Sequence, residues 1–379
     1  MFFSKPKSYL GVDLGAGGIK IVELREEKKR PVLHTYGLTS TNQDIHSLFT
    51  NRPTSHVNTL GNAIQANEAI KPVDAIDNAQ VQKYAKLLKA VCAGAKTVSK
   101  TAVVSLPVSV LFHAVINLPP MKKEDLDKVL RAEVKKLLNR PVEEMVLDYQ
   151  VLKDAGSAKT QRVLINAVPK ELVMFYTQVF KLAGLTLESL EPESVALERS
   201  LIGRDQSVAM IVDMGAERTN FYIIDQSAAI THNSTELGGE RINRILAENL
   251  KIKDSLVEQL KHDYFGNLMN RVSSDISKEK FLNLFYPVVD PIVKEIEYGF
   301  ELYLKQVGNE TKRPEKIILT GGASFMPYLA DHISEVFKIK CYVGDPWGRV
   351  VYQDGLKPLL HQVGPRMSVA LGLALRNLV

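Results

Sequence analysis

A hairpin pattern that occurs twice constrains this chain more than any other feature. Residues 12–16 read VDLGA and residues 212–216 read VDMGA. In each copy an apolar run predicts a buried strand, the Asp-x-Gly step predicts a turn, and a second strand follows over Ile19 to Leu24 or Thr219 to Ile224. A single copy would indicate only favourable turn chemistry, because short motifs have a high false-positive rate. Two copies that align without a gap predict two related domains that face a shared cleft.

The turns of the two hairpins suit a phosphate ligand. Backbone N–H groups that point out of a turn can cradle a phosphate, and a carboxylate beside them can hold a hydrated Mg²⁺. With Asp13 on one side and Asp213 on the other, the two turns would bind one polyphosphate from both sides. The sequence contains neither a G-x-x-x-x-G-K loop nor a G-x-G-x-x-G fingerprint, which excludes the commonest competing nucleotide-binding folds.

The composition limits the class of protein. A chain of 379 residues exceeds one ordinary core and predicts about two to four domains. Its 45% hydrophobic and 24% charged residues are typical of a globular, soluble protein, and its net charge of +5 is not concentrated in one tract, so nucleic-acid binding is not expected. Cys92 and Cys341 form no metal or redox motif, as is typical of a reducing compartment. Without a signal peptide or an apolar run of membrane-spanning length, the expected location is the cytoplasm.

A small α+β module is predicted between the hairpins, from Ser109 to about Leu185. Its strand patterns cover Val110 to Leu118, Val146 to Leu152 and Arg162 to Val168, and its amphipathic helices cover Lys122 to Asn139 and Pro169 to Ala183. Outside the module, strands are predicted at Pro31 to Leu38, Thr101 to Pro107 and Ile317 to Gly322, and helices at Ala79 to Ala93, Ser194 to Ile202, Arg241 to Leu250, Val257 to His262, Phe281 to Gln306, Met326 to Phe337 and Met367 to Leu378. The polar segment Thr39 to Asn78 predicts a long surface loop.

Five short motifs carry a family resemblance. They are Gly11-Val-Asp-Leu-Gly, Glu191-Pro192, Val212-Asp-Met-Gly, Leu237-Gly-Gly-Glu and Leu319-Thr-Gly-Gly-Ala. Their order is similar to that of the actin and Hsp70 ATPase superfamily. Within it the chain most resembles the PilM family of type IV pilus assembly proteins, and more distantly the FtsA proteins of cell division. The PilM-like details are the stretches VVSLP at 103–107, VPKEL at 168–172, LEPES at 190–194 and ALGLALR at 370–376.

The resemblance implies a fold and its subdivision. The expected fold is an α/β actin-like ATPase fold, with two related domains around a nucleotide cleft and an FtsA-like 1C subdomain. Subdomain 1A would comprise residues 1–108 and 186–206, subdomain 1C residues 109–185, subdomain 2A residues 207–235 and 313–379, and subdomain 2B residues 236–312.

The resemblance also implies ATP and Mg²⁺ as cofactors and assigns residues to them. Asp13 and Asp213 would surround the Mg²⁺ and the attacking water, and Glu191 would lie near the γ-phosphate as a third catalytic group. The residues that would bind the nucleotide are Gly15, Ala16, Gly17, Gly18, Lys20, Gly215, Ala216, Thr219, Gly238, Gly239, Glu240, Glu258, Lys261, Gly321, Gly322 and Ala323. Two alternatives stay open: Glu258 and Lys261 would also suit a surface ion pair, and Glu191 a carboxylate at a helix start.

One departure from the superfamily pattern bears on hydrolysis. Ala216, Glu217 and Arg218 stand where Hsp70-like proteins have glycine and a small residue. Glu217 would bring negative charge toward the phosphates unless it turns to solvent. We therefore expect ATP to bind and to be hydrolysed slowly.

Three classes of function remain. The leading one, by resemblance, is a nucleotide-gated scaffold of the pilus assembly complex that binds the cytoplasmic N-terminal segment of a PilN-type membrane protein in a groove flanked by Val110 to Leu118 and Lys122 to Asn139. Its membrane association would be indirect, and self-association is an open alternative. An FtsA-like filament-forming membrane tether is the second class, although the chain closes on a segment that looks internal. A sugar or metabolite kinase is the third, but no candidate for its catalytic base is found.

Overall fold

A computed structural model describes residues 7–39, 78–138, 140–152, 160–251, 253, 257, 277–306 and 308–379. The predicted surface loop between Thr39 and Asn78 and nearly all of the predicted helix Val257 to His262, with Glu258 and Lys261, lie outside these residues. Among the described residues, no helix combines the length and the apolar character that crossing a membrane requires.

The described elements alternate between strands and helices. The strands are β1 (Ser8–Gly15), β2 (Gly18–Glu27), β3 (Arg30–Leu38), β4 (Thr101–Leu106), β5 (Phe112–Leu118), β6 (Met145–Val151), β7 (Gln161–Pro169), β8 (Thr186–Pro192), β9 (Ala209–Met214), β10 (Thr219–Asp225), β11 (Ala228–Thr235), β12 (Lys316–Thr320) and β13 (Lys340–Val343). The helices are α1 (Asn78–Gly94), α2 (Lys123–Leu137), α3 (Lys170–Ala183), α4 (Glu193–Leu197), α5 (Gly239–Leu250), α6 (Lys278–Leu284), α7 (Tyr286–Leu304), α8 (Leu329–Phe337) and α9 (Lys357–Ala374).

Two five-stranded sheets repeat the same plan. The first sheet has the order β3-β2-β1-β4-β8 and the second has the order β11-β10-β9-β12-β13. In each, the three strands from the hairpin are antiparallel and the two later strands are parallel to the first strand of the hairpin. The two sheets are therefore equivalent, as the repeated hairpin predicts.

The last long helix, α9, lies between the two sheets. Its Met367, Ala370 and Leu371 pack with β2 of the first sheet, whereas its Val369 and Leu373 pack with residues of the second sheet and of α4. A long apolar sequence buried on several faces is typical of a helix inside a core rather than at a surface. Because α4 and α9 both touch the two sheets, they connect the two halves of the molecule.

The two connecting helices cross with their backbones in direct contact. A Cβ atom at Gly372 of α9 would overlap the carbonyl oxygen of Ala196 in α4, and a Cβ atom at Gly11 of β1 would overlap the carbonyl oxygen of Ala370. The helix α9 is thus held between β1 and α4 at two positions that have no side chain. This close packing fixes the distance between the two sheets.

The module between the hairpins is a three-stranded sheet with the order β5-β7-β6. One face is covered by α2, whose Leu126, Leu130 and Val134 are buried against Val163 and Ile165 of β7. As the apolar stripe of this helix predicts, these residues form the module's own core.

The other face of the module packs on the second sheet. Leu164 belongs to the same apolar cluster as Ile230 of β11. The ring of His113 on β5 meets that of His232 on β11 edge to face, with 6.1 Å between the ring centroids. Burial lowers the pKa of His232 to about 3 and also lowers that of His113, so both rings are neutral at pH 7. This contact between the module and the second half is not visible in the sequence.

Most of the predicted elements are present with shifted ends. Helix α1 is two residues longer than predicted, β5 begins at Phe112 because residues 108–110 form a 3-10 turn, and Pro169 precedes α3 as its N-cap. The predicted helix Ser194 to Ile202 is α4 followed by a π-helical turn at Glu198–Ile202. The long segment predicted over Phe281 to Gln306 is divided into α6 and α7. Strands β8, β11 and β13 were not predicted, because each is short or contains polar residues.

The contact between α4 and α9 predicts a large effect of one methyl group. Gly372→Ala should lower the free energy of unfolding by about 3 kcal/mol or more, because the added carbon meets backbone that cannot rotate away. Urea unfolding followed by circular dichroism measures this change. Gly94→Ala is a matched helical control with open space at its Cβ position, and it should change the unfolding free energy by less than about 1 kcal/mol. Equal stability of the two variants would contradict the packing argument.

Candidate functional site

The turns of the two repeated hairpins meet at the cleft between the sheets. A Cβ atom at Gly17, in the turn between β1 and β2, would lie 3.2 Å from Cβ of Ala216, in the turn between β9 and β10. The aspartates that precede these turns, Asp13 and Asp213, therefore face one another from the two halves. The structure thus brings the two turns and their aspartates together, as the sequence repeat predicts.

Asp13 is buried with a partner for each carboxylate oxygen. The hydroxyl of Ser105 donates to Oδ1 at 2.9 Å, and Nζ of Lys20 lies 3.2 Å from Oδ2. Lys20 is placed there by register, because it stands directly opposite Asp13 in the antiparallel pair β1–β2. The sequence analysis missed Ser105. It ends the buried run of β4, and a polar residue at the end of a strand next to an aspartate strand is the signal that would have found it.

Asp213 is half-buried and lies in an unfavourable environment for a negative charge. Its pKa is raised to about 7, first because the surrounding protein removes water from the carboxyl and second because Asp13 is nearby, while Lys20 acts in the opposite direction. A cation at this position would relieve the repulsion between the two aspartates. Mg²⁺ usually takes one or two carboxylates from a protein and its other ligands from water and phosphates, so this pair fits the ion.

A third carboxyl group, Glu193, lies close to the two aspartates. It is the first residue of α4 and is 9% exposed. Burial raises its pKa well above the usual range, and the charges of Asp13 and Asp213 raise it further. The same burial and the charge of Glu193 raise the pKa of Tyr222. Glu193 was not predicted as a site residue from the sequence. Within the described residues, no three His, Cys, Asp or Glu side chains are arranged to hold a metal by themselves.

Glu191, which the resemblance places near the γ-phosphate, makes ion pairs in this structure. Its Oε2 lies 3.0 Å from Nη1 of Arg199 and its Oε1 lies 2.7 Å from Nε of Arg376. Arg199 also donates to the carbonyl oxygen of Gly372 at 2.6 Å. Glu191 thus links the ends of the two connecting helices, and its catalytic role stays a prediction.

Several of the predicted glycines leave room around the aspartates. A Cβ atom at Gly15 would lie 2.7 Å from Nζ of Lys20, and one at Gly321 would lie 2.6 Å from Oδ1 of Asp213. Gly321 also has φ +84°, a backbone conformation that favours glycine. Side chains at these positions would fill the space beside the carboxylates. A cradle of backbone next to two aspartates and a lysine fits a phosphate chain with its metal.

Other predicted residues support the turns from behind. The N–H groups of Gly239 and Glu240 donate to the carbonyl oxygens of Gly215 and Ala216, both at 2.9 Å, so that α5 starts against the second turn. Two more predicted glycines are closely packed: a Cβ atom at Gly238 would overlap Ala216, and one at Gly18 would overlap Thr39. The hydroxyl of Thr219, which is buried, donates to the carbonyl oxygen of Leu237. The N–H of Ala323 donates to the carbonyl oxygen of Met214 at 3.0 Å. Ala16 is buried in its turn.

In the second turn, Arg218 lies 3.8 Å from Glu236 in an ion pair. In the same half of the molecule, Gly322 follows β12 and lies against Arg366 of α9, a residue that was not predicted from the sequence. A Cβ atom at Gly322 would lie 3.5 Å from Cγ and Nε of Arg366.

Comparisons with known proteins agree with this architecture. The family model described as type IV pilus assembly protein PilM matches residues 63–378. A solved structure described as a PilM-PilN type IV pilus biogenesis complex has a TM-score of 0.75 at 20% identity, covering 99% of this chain and 100% of that chain. MreB 5 of Spiroplasma citri bound to AMPPNP has a TM-score of 0.50 at 13% identity, covering 97% of this chain and 95% of that chain. The predicted actin-like fold class is confirmed.

A curated relative extends the likeness to cell division. FtsA of Streptococcus pneumoniae serotype 2 is 26% identical over 255 residues, which are 59% of this chain and 55% of that protein. The chain spans about a third to about a half of the length of the curated relatives it matches.

The raised pKa of Asp213 predicts how the ligand-free protein responds to pH. In the unfolded chain this carboxyl titrates at its ordinary value of 3.8, whereas in the folded protein it titrates at about 7. The folded state therefore holds the extra proton, and its stability falls as pH rises from about 4 to about 7 and then levels off. Asp213→Asn does not titrate, so it should be more stable than the unaltered protein at pH 8 by about 1–2 kcal/mol, allowing for partial exposure.

Urea unfolding in EDTA at pH 5 and pH 8 measures this difference. The advantage of Asp213→Asn should be small at pH 5 and larger at pH 8. Asp148→Asn, on the exposed side of β6, is the matched control and should show no such trend. An advantage that is the same at both pH values would contradict the placement of Asp213 beside Asp13.

Proposed function

The chain belongs to the PilM family of type IV pilus assembly proteins, and we propose that it works there as a nucleotide-binding scaffold whose conformation depends on the nucleotide. The observation that carries the proposal is the meeting of the two hairpin turns with Asp13, Lys20 and Asp213 between them. This arrangement offers backbone donors, a cation and two carboxylates to one ligand. ATP with Mg²⁺ has the matching chemistry, and the related fold of MreB 5 carries AMPPNP in its solved structure.

In this proposal the two halves share the work of binding. Lys20 and the first turn would bind phosphate oxygens from one side, and the second turn with Gly321 would bind them from the other. Asp13 and Asp213 would hold the Mg²⁺, whose charge offsets both the carboxylates and the phosphates. Glu191 and Glu193 would lie at the base of the cleft, where burial raises the pKa of Glu193 well above its usual range.

We propose that hydrolysis is slow. Backbone donors and Lys20 stabilise bound phosphates, but stabilisation alone does not position a water molecule for in-line attack. Glu191, the predicted third catalytic group, is held by two arginines. Slow turnover suits a protein that changes state with its nucleotide rather than one that processes a metabolite.

Nucleotide-dependent conformation follows from the contact between the turns. A Cβ atom at Gly17 would lie only 3.2 Å from Cβ of Ala216, so we expect the two halves to separate when a phosphate chain enters between the turns. The module contacts both its own domain and the second half. Its Arg162 donates at 3.2 Å to Gln306, which follows α7 and donates in turn to the carbonyl oxygen of Ile230 in β11. Separation of the halves would therefore change the surroundings of the module.

We propose that the module binds the partner. A solved structure that covers 99% of this chain is described as a complex of PilM with PilN, and by analogy the occupant here would be the cytoplasmic N-terminal segment of a PilN-type membrane protein. Strand β5 is an edge of the three-stranded sheet, and an extended peptide can add to such an edge by backbone hydrogen bonds. Through this partner the chain would associate with the inner face of the inner membrane and with the rest of the pilus assembly complex.

ATP binding is the first test of this proposal. Asp13→Ala and Asp213→Ala should each weaken Mg²⁺-dependent ATP binding by about tenfold or more, because each removes a charged ligand of the metal. Isothermal titration calorimetry with and without Mg²⁺ measures the effect, and Asp148→Ala, far from the cleft, should bind as the unaltered protein does. Unchanged Mg·ATP affinity in both cleft variants, or steady-state turnover on the order of 10 per second, would contradict the proposal.

The partner site is tested at the free edge of β5. The backbone N–H groups of Ala114 and Asn117 point to opposite edges of this strand, because the two residues are an odd number of positions apart. One of these N–H groups therefore faces β7 and the other faces outward. Of Ala114→Pro and Asn117→Pro, the variant that loses the outward donor should keep its melting temperature and bind a fluorescent PilN-type N-terminal peptide about tenfold more weakly.

Fluorescence anisotropy gives the peptide affinity. Val146→Ala, on the opposite edge strand β6, is the control and should leave the peptide affinity unchanged. Full affinity in both folded proline variants would place the partner site elsewhere on the protein.

A further inference from the structure

An arginine on the connecting helix lies beside the glycine pair of the cleft. The Cγ and Nε atoms of Arg366 are 3.5 Å from the position where Gly322 would carry a Cβ atom. The position is set by backbone contacts, because the N–H of Gly321 and the hydroxyl of Thr320 donate to the carbonyl oxygen of Pro365 at 3.0 and 3.1 Å. The turn after β12 and the middle of α9 therefore form one rigid unit that carries this arginine.

The guanidinium group of Arg366 differs in its contacts from the arginines around it. Arg199 and Arg376 are paired with Glu191, and Arg349 donates to backbone carbonyls. Arg366 is half-buried and, within the part of the chain that the structure describes, has neither a hydrogen bond nor an ion pair. None of its nitrogens is among the buried polar atoms that lack a partner, so the guanidinium reaches solvent and its donors are available to a ligand.

The place of Arg366 along the cleft indicates which part of a ligand it meets. Gly321 adjoins the carboxylate of Asp213, and Gly322 follows it on the side of α9. On the opposite wall, Lys20 is the cation that acts on Asp13 and Asp213. The metal and phosphate end thus has its own cation, and Arg366 lies one residue beyond it along the glycine pair.

We propose that Arg366 recognises the nucleoside part of the bound nucleotide by placing its guanidinium plane against the base. This inference rests on the proposed nucleotide binding. The absence of a side chain at Gly322 leaves room for the stem of Arg366 beside the backbone of the glycine pair. A planar, delocalised cation stacks well on an aromatic ring, which a lysine ammonium does not do.

Two ligands separate recognition of the base from attraction to phosphate. Arg366→Ala should bind Mg·ATP about tenfold more weakly than the unaltered protein and should bind Mg·tripolyphosphate, which has no base, with unchanged affinity. Arg366→Lys keeps the charge but not the plane, so its ATP affinity should be close to that of Arg366→Ala. Calorimetry with the full chain gives all of these affinities.

Controls make the outcomes distinct. Arg30→Ala, at the exposed first residue of β3, removes an arginine far from the cleft and should not change either affinity. If the unaltered protein binds ATP and Arg366→Ala binds it equally well, the role of Arg366 is overturned while the proposed function stands. If Arg366→Ala weakens both ligands to the same extent, the arginine is a phosphate contact and base recognition is overturned. If the unaltered protein binds neither ligand, the proposed function itself fails.

If ligand-free Arg366→Ala melts at a lower temperature than the ligand-free unaltered protein, the variant Arg366→Gln is used in its place. This variant keeps a stem over Gly322 and loses the charge and the delocalised plane. A loss of ATP affinity of about tenfold with retained tripolyphosphate binding is again expected, and unchanged ATP affinity again overturns the proposal.

Discussion

The crossing of α4 and α9 is the contact on which the rest of the structure depends. Gly372 and Ala196 bring the two helix backbones together at a distance that any side chain would prevent. Arg199 then bridges Glu191 to the carbonyl oxygen of Gly372 with hydrogen bonds of 3.0 and 2.6 Å. Because each helix also packs on a sheet, this one crossing determines how far apart the two hairpins stand, and with them Asp13 and Asp213.

The cleft concentrates negative charge that the folded protein alone does not neutralise. Asp13 has Ser105 and Lys20 as partners. Burial and the charge of Asp13 raise the pKa values of both Asp213 and Glu193, and the charge of Asp213 also raises that of Glu193. Carboxyl groups crowded in this way make the folded protein less stable than neutral side chains would. Such a loss of stability at a functional site is common. The divalent cation that we propose for this site would relieve the repulsion between its carboxylates.

The sequence predicted those parts of the molecule in which chemistry and local pattern coincide. The repeated hairpins, the module and the glycines near Asp213 all follow from short motifs with a physical meaning. The positions of Glu193 and Arg366 could not be predicted, because each depends on how a connecting helix lies between two sheets that are distant in the sequence. The ion pairs of Glu191 could not be predicted for the same reason: its motif is clear, but its partners come from the residues just after α9 and from the π-helical turn that follows α4.

The cleft and the module are joined by a continuous row of buried side chains. The charge of Glu193 reaches Tyr222 on β10, whose ring is stacked on His232 of β11 with 5.9 Å between centroids, and His232 meets His113 of the module. His113 is in turn fixed by Asn166, 2.9 Å away. Packed cores have discrete arrangements rather than continuous ones, so a change in the angle between the halves must rearrange the contact between the two histidines. The proposed partner on the module and the proposed ligand in the cleft would therefore act on opposite ends of one packed column.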